Sequence, residues 1–188
     1  LSAEERAALT RLEDGIDDLL SGGLVLQHGD FCRHNILIGD RRHPPIGVID
    51  WTFARQLGLP LHDLFFFFAG YFSQIRRELG PETFLQIFGY TFLEQNSYSQ
   101  LVRLEIEKYC GRLRLELSQV ADWFTFFLVE RAVFELRQTL VCAREFGLPR
   151  FPVYLGATAG RGYADALTEQ IWFRYFRRFV EKRSAFIV

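Results

Sequence analysis

Two hydrophobic patterns divide the chain, and the first is helical. Leu9, Leu12, Ile16, Leu19 and Leu20 recur at three- and four-residue spacing, which predicts an amphipathic helix. Ser2 followed by Glu5 has the form of a capping box, and Gly22–Gly23 ends the helix. The second pattern is three short apolar runs, Leu24–Leu26, Ile36–Ile38 and Ile46–Ile49, separated by polar or breaker residues. Their β-branched content and the cluster Gly39–Pro45 predict short strands, the last two paired as a hairpin. Thr52–Pro60 reads as a loop.

Helical periodicity then returns and holds to the end. Phe65–Phe68 are four consecutive aromatics that cover every side of their helix, and a helix apolar all round belongs in a core. Further helices are expected over Pro81–Glu94, Ser97–Glu116 and Ser118–Phe146. Leu101, Leu104, Ile106, Tyr109 and Leu113 are the apolar positions of the second of these. Phe124, Phe127, Leu128, Val133, Phe134 and Leu140 face inward on the third. Gly147–Pro152 breaks the chain before a last helix at about Gly160–Arg183. There Trp172, Tyr175, Phe176 and Phe179 share a face, and packing with snorkelling arginines is a commoner fate for such a helix than a membrane surface. The fold class that follows is α+β, mainly α, with a short β-hairpin and about six helices.

Composition narrows the field of functions. With 188 residues, 49% hydrophobic and 24% charged, the chain suits one soluble domain with a real core. A net charge of −1 offers no global field for nucleic acid or an anionic membrane. The apolar run Leu64–Phe72 is far short of the ~20 residues a spanning helix needs, so no membrane span is expected. Cys32, Cys110 and Cys142 show no paired spacing and point to reduced thiols in a cytoplasm.

The predicted strands carry Asp30, Asn35 and Asp50 to one rim. Two carboxylates and an amide make an all-oxygen set suited to a hard cation. Phosphoryl transfer uses such a set: one carboxylate orients and deprotonates an incoming hydroxyl, and Mg²⁺ neutralises the nucleotide phosphates. Two protein ligands suffice, because Mg²⁺ completes its shell with water and phosphate oxygens. Taken singly, each of these residues is a common turn residue; their order and spacing give the signal.

HGDFCRHN followed by VIDW resembles the catalytic segment of the aminoglycoside phosphotransferase and choline kinase family, relatives of the protein kinases. His28, Asp30, Asn35, Asp50 and Trp51 meet that pattern, and Gly58–Leu64 resembles the Gly-x-Pro-x-x-Asp-Leu that follows it. The resemblance implies Asp30 as catalytic base, with His28 bracing its loop, and Asn35 and Asp50 as the Mg²⁺ and nucleotide ligands. Asp63 would tie a helix start to the loop, and Trp51 would support the site. One departure is Cys32, where many members have His. The resemblance also implies a kinase-like C-terminal lobe over 1–188: a packing helix (1–23), catalytic and metal-binding loops (24–64) and a helical substrate-side subdomain (65–188).

That family has an N-terminal lobe with a strand lysine and a phosphate-covering loop. Neither is matched here, no Lys precedes Lys108, and the chain has no Met. An upstream lobe of the same protein is therefore an expected partner, and the chain alone is expected to be inactive. ATP and Mg²⁺ are the expected co-substrate and cofactor. The acceptor would be a small-molecule hydroxyl on an aminoglycoside, an amino alcohol, a sugar or an amino acid. Asp122, Glu130 and Glu135 are candidates to recognise a cationic acceptor, against the plainer expectation of a solvated face. Two other readings stand beside this one. His28, His34 and His62–Asp63 could form the metal cluster of an HD-type phosphohydrolase, or the chain could be a pseudokinase or interaction domain.

Overall fold

The computed structural model describes residues 1–21, 23–39, 46–79, 83–146 and 170–187, with 76–79 and 139–146 as backbone alone. Within them lie six α-helices and four short strands. The helices are α1 (Ala3–Ser21), α2 (His62–Leu79), α3 (Phe84–Phe92), α4 (Ser97–Leu113), α5 (Val120–Phe146) and α6 (Ile171–Glu181). The strands are β1 (Val25–Gln27), β2 (Ile36–Ile38), β3 (Ile46–Val48) and β4 (Arg55–Gly58). The chain is thus α+β and mainly α.

Local signals set most of the boundaries. Ser2 and Glu5 form the expected capping box: the Ser2 amide donates to Glu5 Oε2 at 2.8 Å, and the Glu5 amide to Ser2 Oγ at 3.1 Å. Glu5 is buried, and its other oxygen accepts from Arg177 Nε of α6 at 2.6 Å, so the cap also joins the two ends of the chain. A second capping box, Thr83 with Gln86, starts α3 later than the predicted Pro81. Asn96 caps α4 through the amides of Tyr98 and Ser99.

β2 and β3 pair antiparallel, with Ile36 opposite Val48 and Ile38 opposite Ile46, which is the expected hairpin. Residues 40–45, between the two strands in sequence, lie outside the described residues, as do Gly147–Pro152 and the first part of the predicted last helix. Thr52–Pro60 is not a plain loop. It contains a one-turn 3₁₀ helix (Trp51–Phe53) and then β4, which pairs antiparallel with β1 through Val25 opposite Gly58 and Gln27 opposite Arg55. The reason is the unpaired edge of β1, whose backbone groups need partners.

The core is aromatic. Phe124, wholly buried on α5, has its ring centroid within 4.8 Å of Phe65 and of Phe92, 4.9 Å of Phe186 and 5.1 Å of Phe179. Of the four consecutive phenylalanines on α2, Phe65 and Phe68 enter this core, as does Phe72 one turn on. Phe66 stacks on Trp172 of α6, and Phe67 lies 5.6 Å from Phe31, beside the candidate catalytic loop. On α4 the buried stripe is Val102, Ile106 and Cys110, spaced by four, and Leu101, Leu104 and Leu113 are exposed instead. Val133 on α5 is also exposed, being off the stripe defined by Phe124, Leu128 and Ala132.

Candidate active site

β1 delivers the chain into a tight loop whose backbone is held from several sides. Gly29 has φ +81°, and a Cβ there would run into the Phe53 carbonyl oxygen; only glycine fits. Asp63, in the first turn of α2, accepts the amides of His28 at 2.6 Å and Gly29 at 2.9 Å. Burial works against the charge of the Asp63 carboxylate, but bonds to His62 and to those two amides outweigh it and hold its pKa below the usual range.

His28 is buried, and both its ring nitrogens are engaged. Nδ1 accepts the amide of Asp30 at 3.3 Å, and Nε2 lies 2.9 Å from the carbonyl of Ile49. An amide only donates and a carbonyl only accepts, so the ring is the neutral tautomer with its proton on Nε2. It clips the loop before Asp30 to the strand end before Asp50. Trp51 packs on this ring at 4.7 Å and donates its indole N–H to the Val48 carbonyl at 3.0 Å.

Asp30 is half-buried, with Asn35 beside it. Asn35 Nδ2 donates to the Asp30 carbonyl at 2.9 Å and to Asp30 Oδ2 at 3.2 Å. With both acceptors on that side, the amide nitrogen must face Asp30, and the side-chain oxygen Oδ1 of Asn35 is the atom left to face a cation. The Ile49 amide donates to the backbone carbonyl of Asn35 at 2.9 Å, which fixes the strand end before Asp50 against this loop. Asp50 is exposed, in the left-handed region at φ 61°, a conformation that Asp tolerates better than most residues. Its Oδ1 accepts from Thr52 Oγ1 at 2.6 Å. The structure thus joins the segment that carries Asp30 and Asn35 to the strand end that carries Asp50, with His28, Trp51 and Asp63 as supports.

Behind the loop lies a cavity of about 10 Å³, no larger than one water. It is lined by Gly29, Arg55, His62, Glu130, Arg131 and Phe134 among others. Glu130 of α5 pairs with Arg55 of β4, and its Oε2 lies 3.2 Å from His62 Nε2. Burial opposes the Glu130 charge, but His62 and Arg55 outweigh it and bring its pKa down to about 2. Arg131 is buried next to it and pairs with Glu135. The three acidic candidates on α5 are each paired with an arginine of the chain: Asp122, still 40% exposed, holds Arg183 at 2.5 Å, and the less exposed Glu130 and Glu135 hold Arg55 and Arg131.

Arg131 and Arg55 were not singled out in the sequence. Arg131 did leave a signal, since it falls four residues after Phe127 and seven after Phe124, on the buried face of α5. The hydrolase cluster does not assemble. His28 has no free ring nitrogen, His62 faces Glu130, and no group of three or more metal-ligating side chains occurs among the described residues.

A mainly helical domain with an aspartate-bearing loop clipped to a β-hairpin is the class that fold and site define. A family model described as the phosphotransferase enzyme family matches residues 1–96 of the 188, just over half of the chain and the part that holds His28, Asp30, Asn35, Asp50, Trp51 and Asp63. The chain belongs to that family and is by family a phosphotransferase. No curated protein and no solved structure matches it. No helix among the described residues is long and apolar enough to cross a membrane.

Proposed function

We propose that the chain is the C-terminal, catalytic part of an ATP- and Mg²⁺-dependent kinase that phosphorylates a hydroxyl of a small molecule. The observation that carries this reading is the contact between Asp30 and Asn35, with the backbone before Asp50 hydrogen-bonded to Asn35 through Ile49, so that a base and two oxygen ligands come from two joined segments.

The residues present fit a magnesium ion by the chemistry of their donors. Asn35 offers an amide oxygen and Asp50 a carboxylate, hard ligands both; Asn35 is buried and Asp50 exposed, so water and phosphate oxygens would reach the ion from the Asp50 side. A bound Mg²⁺ would neutralise charge on the β- and γ-phosphates. The Asp30 carboxylate orients the acceptor hydroxyl and takes its proton as the oxygen bonds to the γ-phosphorus. The bond from that phosphorus to the β,γ-bridging oxygen breaks, and ADP leaves with the electron pair. Asn35 holds Asp30 in place, so the chain contributes positioning more than covalent chemistry.

Exposed apolar side chains support an upstream lobe that would close over the nucleotide. Ile38 and Ile46 face each other on the hairpin at 77% and 70% exposure, and Leu26 and Leu57 stand out from β1 and β4. A cytoplasmic setting, where ATP is abundant, goes with this reading, and Cys32 and Cys110 are free thiols. The acceptor class stays as broad as aminoglycosides, amino alcohols, sugars and hydroxy amino acids.

The test uses the full-length protein with any upstream lobe in place. ATP consumption with Mg²⁺ is followed against a panel of those acceptors for wild type, Asp30→Ala and Asp50→Ala. Acceptor-dependent turnover that both substitutions abolish is the expected result. No turnover with any acceptor, together with Mg·ATP binding that Asp50→Ala leaves unchanged, would overturn the reading.

A further inference from the structure

Arginine stays charged in proteins, so burying one demands compensation. Arg131 is 5% exposed, yet no function considered so far uses it. Its Nη2 pairs with Glu135, and its Nη1 reaches across 102 positions to the carbonyl of Gly29, at 3.5 Å. Three aromatic rings from three helices surround the guanidinium: Phe66 at 4.4 Å, Phe134 at 4.9 Å and Trp172 at 5.5 Å. The cation is locked, and one of its donors points at the residue before Asp30.

The peptide unit that joins Gly29 to Asp30 has two polar atoms. The Asp30 N–H goes to His28 Nδ1, and the Gly29 C=O goes to Arg131. Together they set the plane of that peptide and hence the direction in which the Asp30 side chain leaves the backbone. Glycine at 29 makes this necessary, because φ +81° is one of several conformations a glycine can take. His28 restrains the plane from one side. Without Arg131 nothing described restrains its carbonyl.

We propose that Arg131 is a positioning residue for Asp30, fixing the Gly29–Asp30 peptide from the helical core so that the carboxylate meets the acceptor hydroxyl. The catalytic consequence rests on the phosphotransferase reading; the hold on the loop does not. The guanidinium also places a positive charge behind the carboxylate, and Asp30 is among the groups that favour its charged form.

Two measurements test this. Hydrogen exchange on the 188-residue chain compares wild type, Arg131→Met and Arg131→Lys, Met being a side chain the aromatic cage can hold. Arg131→Met is expected to speed exchange of the Gly29 and Asp30 amides by about 10-fold while those of Val102 and Ile106 stay as in wild type. Arg131→Lys, with one compact ammonium to share between Gly29 and Glu135, should fall between. Unchanged loop exchange, or equal acceleration at all four amides, would overturn the proposal.

In the full-length enzyme, Arg131→Met should lower kcat on the order of 10²-fold and leave KM for ATP within about 3-fold, with Arg131→Lys restoring part of the loss. A kcat equal to wild type would also overturn it. Asp30→Ala on the same acceptor is the control. If wild type turns over no acceptor, the phosphotransferase reading is what fails, and the exchange result alone decides whether Arg131 holds the loop.

Discussion

Asp63 accepts the backbone amide of His28 at 2.6 Å across 35 positions of sequence, and its second oxygen takes the next amide, that of Gly29. One carboxylate therefore docks the start of α2 onto the loop that carries Asp30. Asparagine has nearly the same shape but only one acceptor atom, so in Asp63→Asn an amide N–H must face an NH₂ group. The expected loss is about 1–3 kcal/mol in urea denaturation at neutral pH. A midpoint equal to that of wild type would show that this docking contributes nothing to stability.

Glu130 joins three elements through its bonds to Arg55 and its approach to His62, and those partners depress its pKa from 4.5 to about 2 despite burial. A carboxyl group whose pKa is lower in the folded state stabilises the fold above its unfolded pKa. That contribution is lost as pH falls through the folded value. Glu130→Gln should accordingly lower the melting temperature at pH 7, and the gap to wild type should close as pH falls from about 4.5 toward about 2. Melting curves at several pH values read this directly. A gap that does not change with pH would mean that the charge of Glu130 is not what the partners stabilise.

The same substitution should have opposite signs at two glycines. Gly29→Ala meets the Phe53 carbonyl oxygen and must keep φ +81°, so a loss of at least about 2 kcal/mol is expected. Gly15 lies inside α1 with nothing within 4 Å of an added Cβ. Gly15→Ala should stabilise by about 0.5–1 kcal/mol, because alanine loses less backbone entropy in a helix. Equilibrium unfolding of both variants decides, and a stabilising Gly29→Ala would remove the case for a rigid loop.

What the sequence made legible is what local chemistry decides. The capping box at Ser2 and the hairpin from Ile36 are read from near neighbours, and the series His28, Asp30, Asn35, Asp50 and Asp63 from its fixed order and spacing across 35 positions; the structure brings that series together. β4 was hidden because Arg55–Gly58 contains one apolar residue, Leu57, which is exposed; the strand exists to pair the edge of β1, a tertiary reason. Glu130 and Glu135 looked solvated because charged residues on a helix usually are. Their partners Arg55 and Arg131 become neighbours only once α5 docks behind the loop. Propensity ranks an arginine as exposed, and only its position on the apolar stripe of α5 argues otherwise.

Chemistry and folding should separate most cleanly at Asp30. Among the described residues its carboxylate accepts one side-chain hydrogen bond, the 3.2 Å bond from Asn35 Nδ2, and the shorter hold on Asn35 is the backbone carbonyl of Asp30 at 2.9 Å. An asparagine at position 30 can accept the first bond through its own amide oxygen and leaves the second untouched. Asp30→Asn should thus keep stability within about 1 kcal/mol of wild type. It cannot take a proton from an acceptor hydroxyl, so phosphoryl transfer should fall by about 10²–10⁴-fold. Urea denaturation and turnover measured on the same preparation read both effects. Transfer that survives Asp30→Asn at near wild-type rate would show that the hydroxyl proton leaves by another route, and that Asp30 serves the loop rather than the reaction.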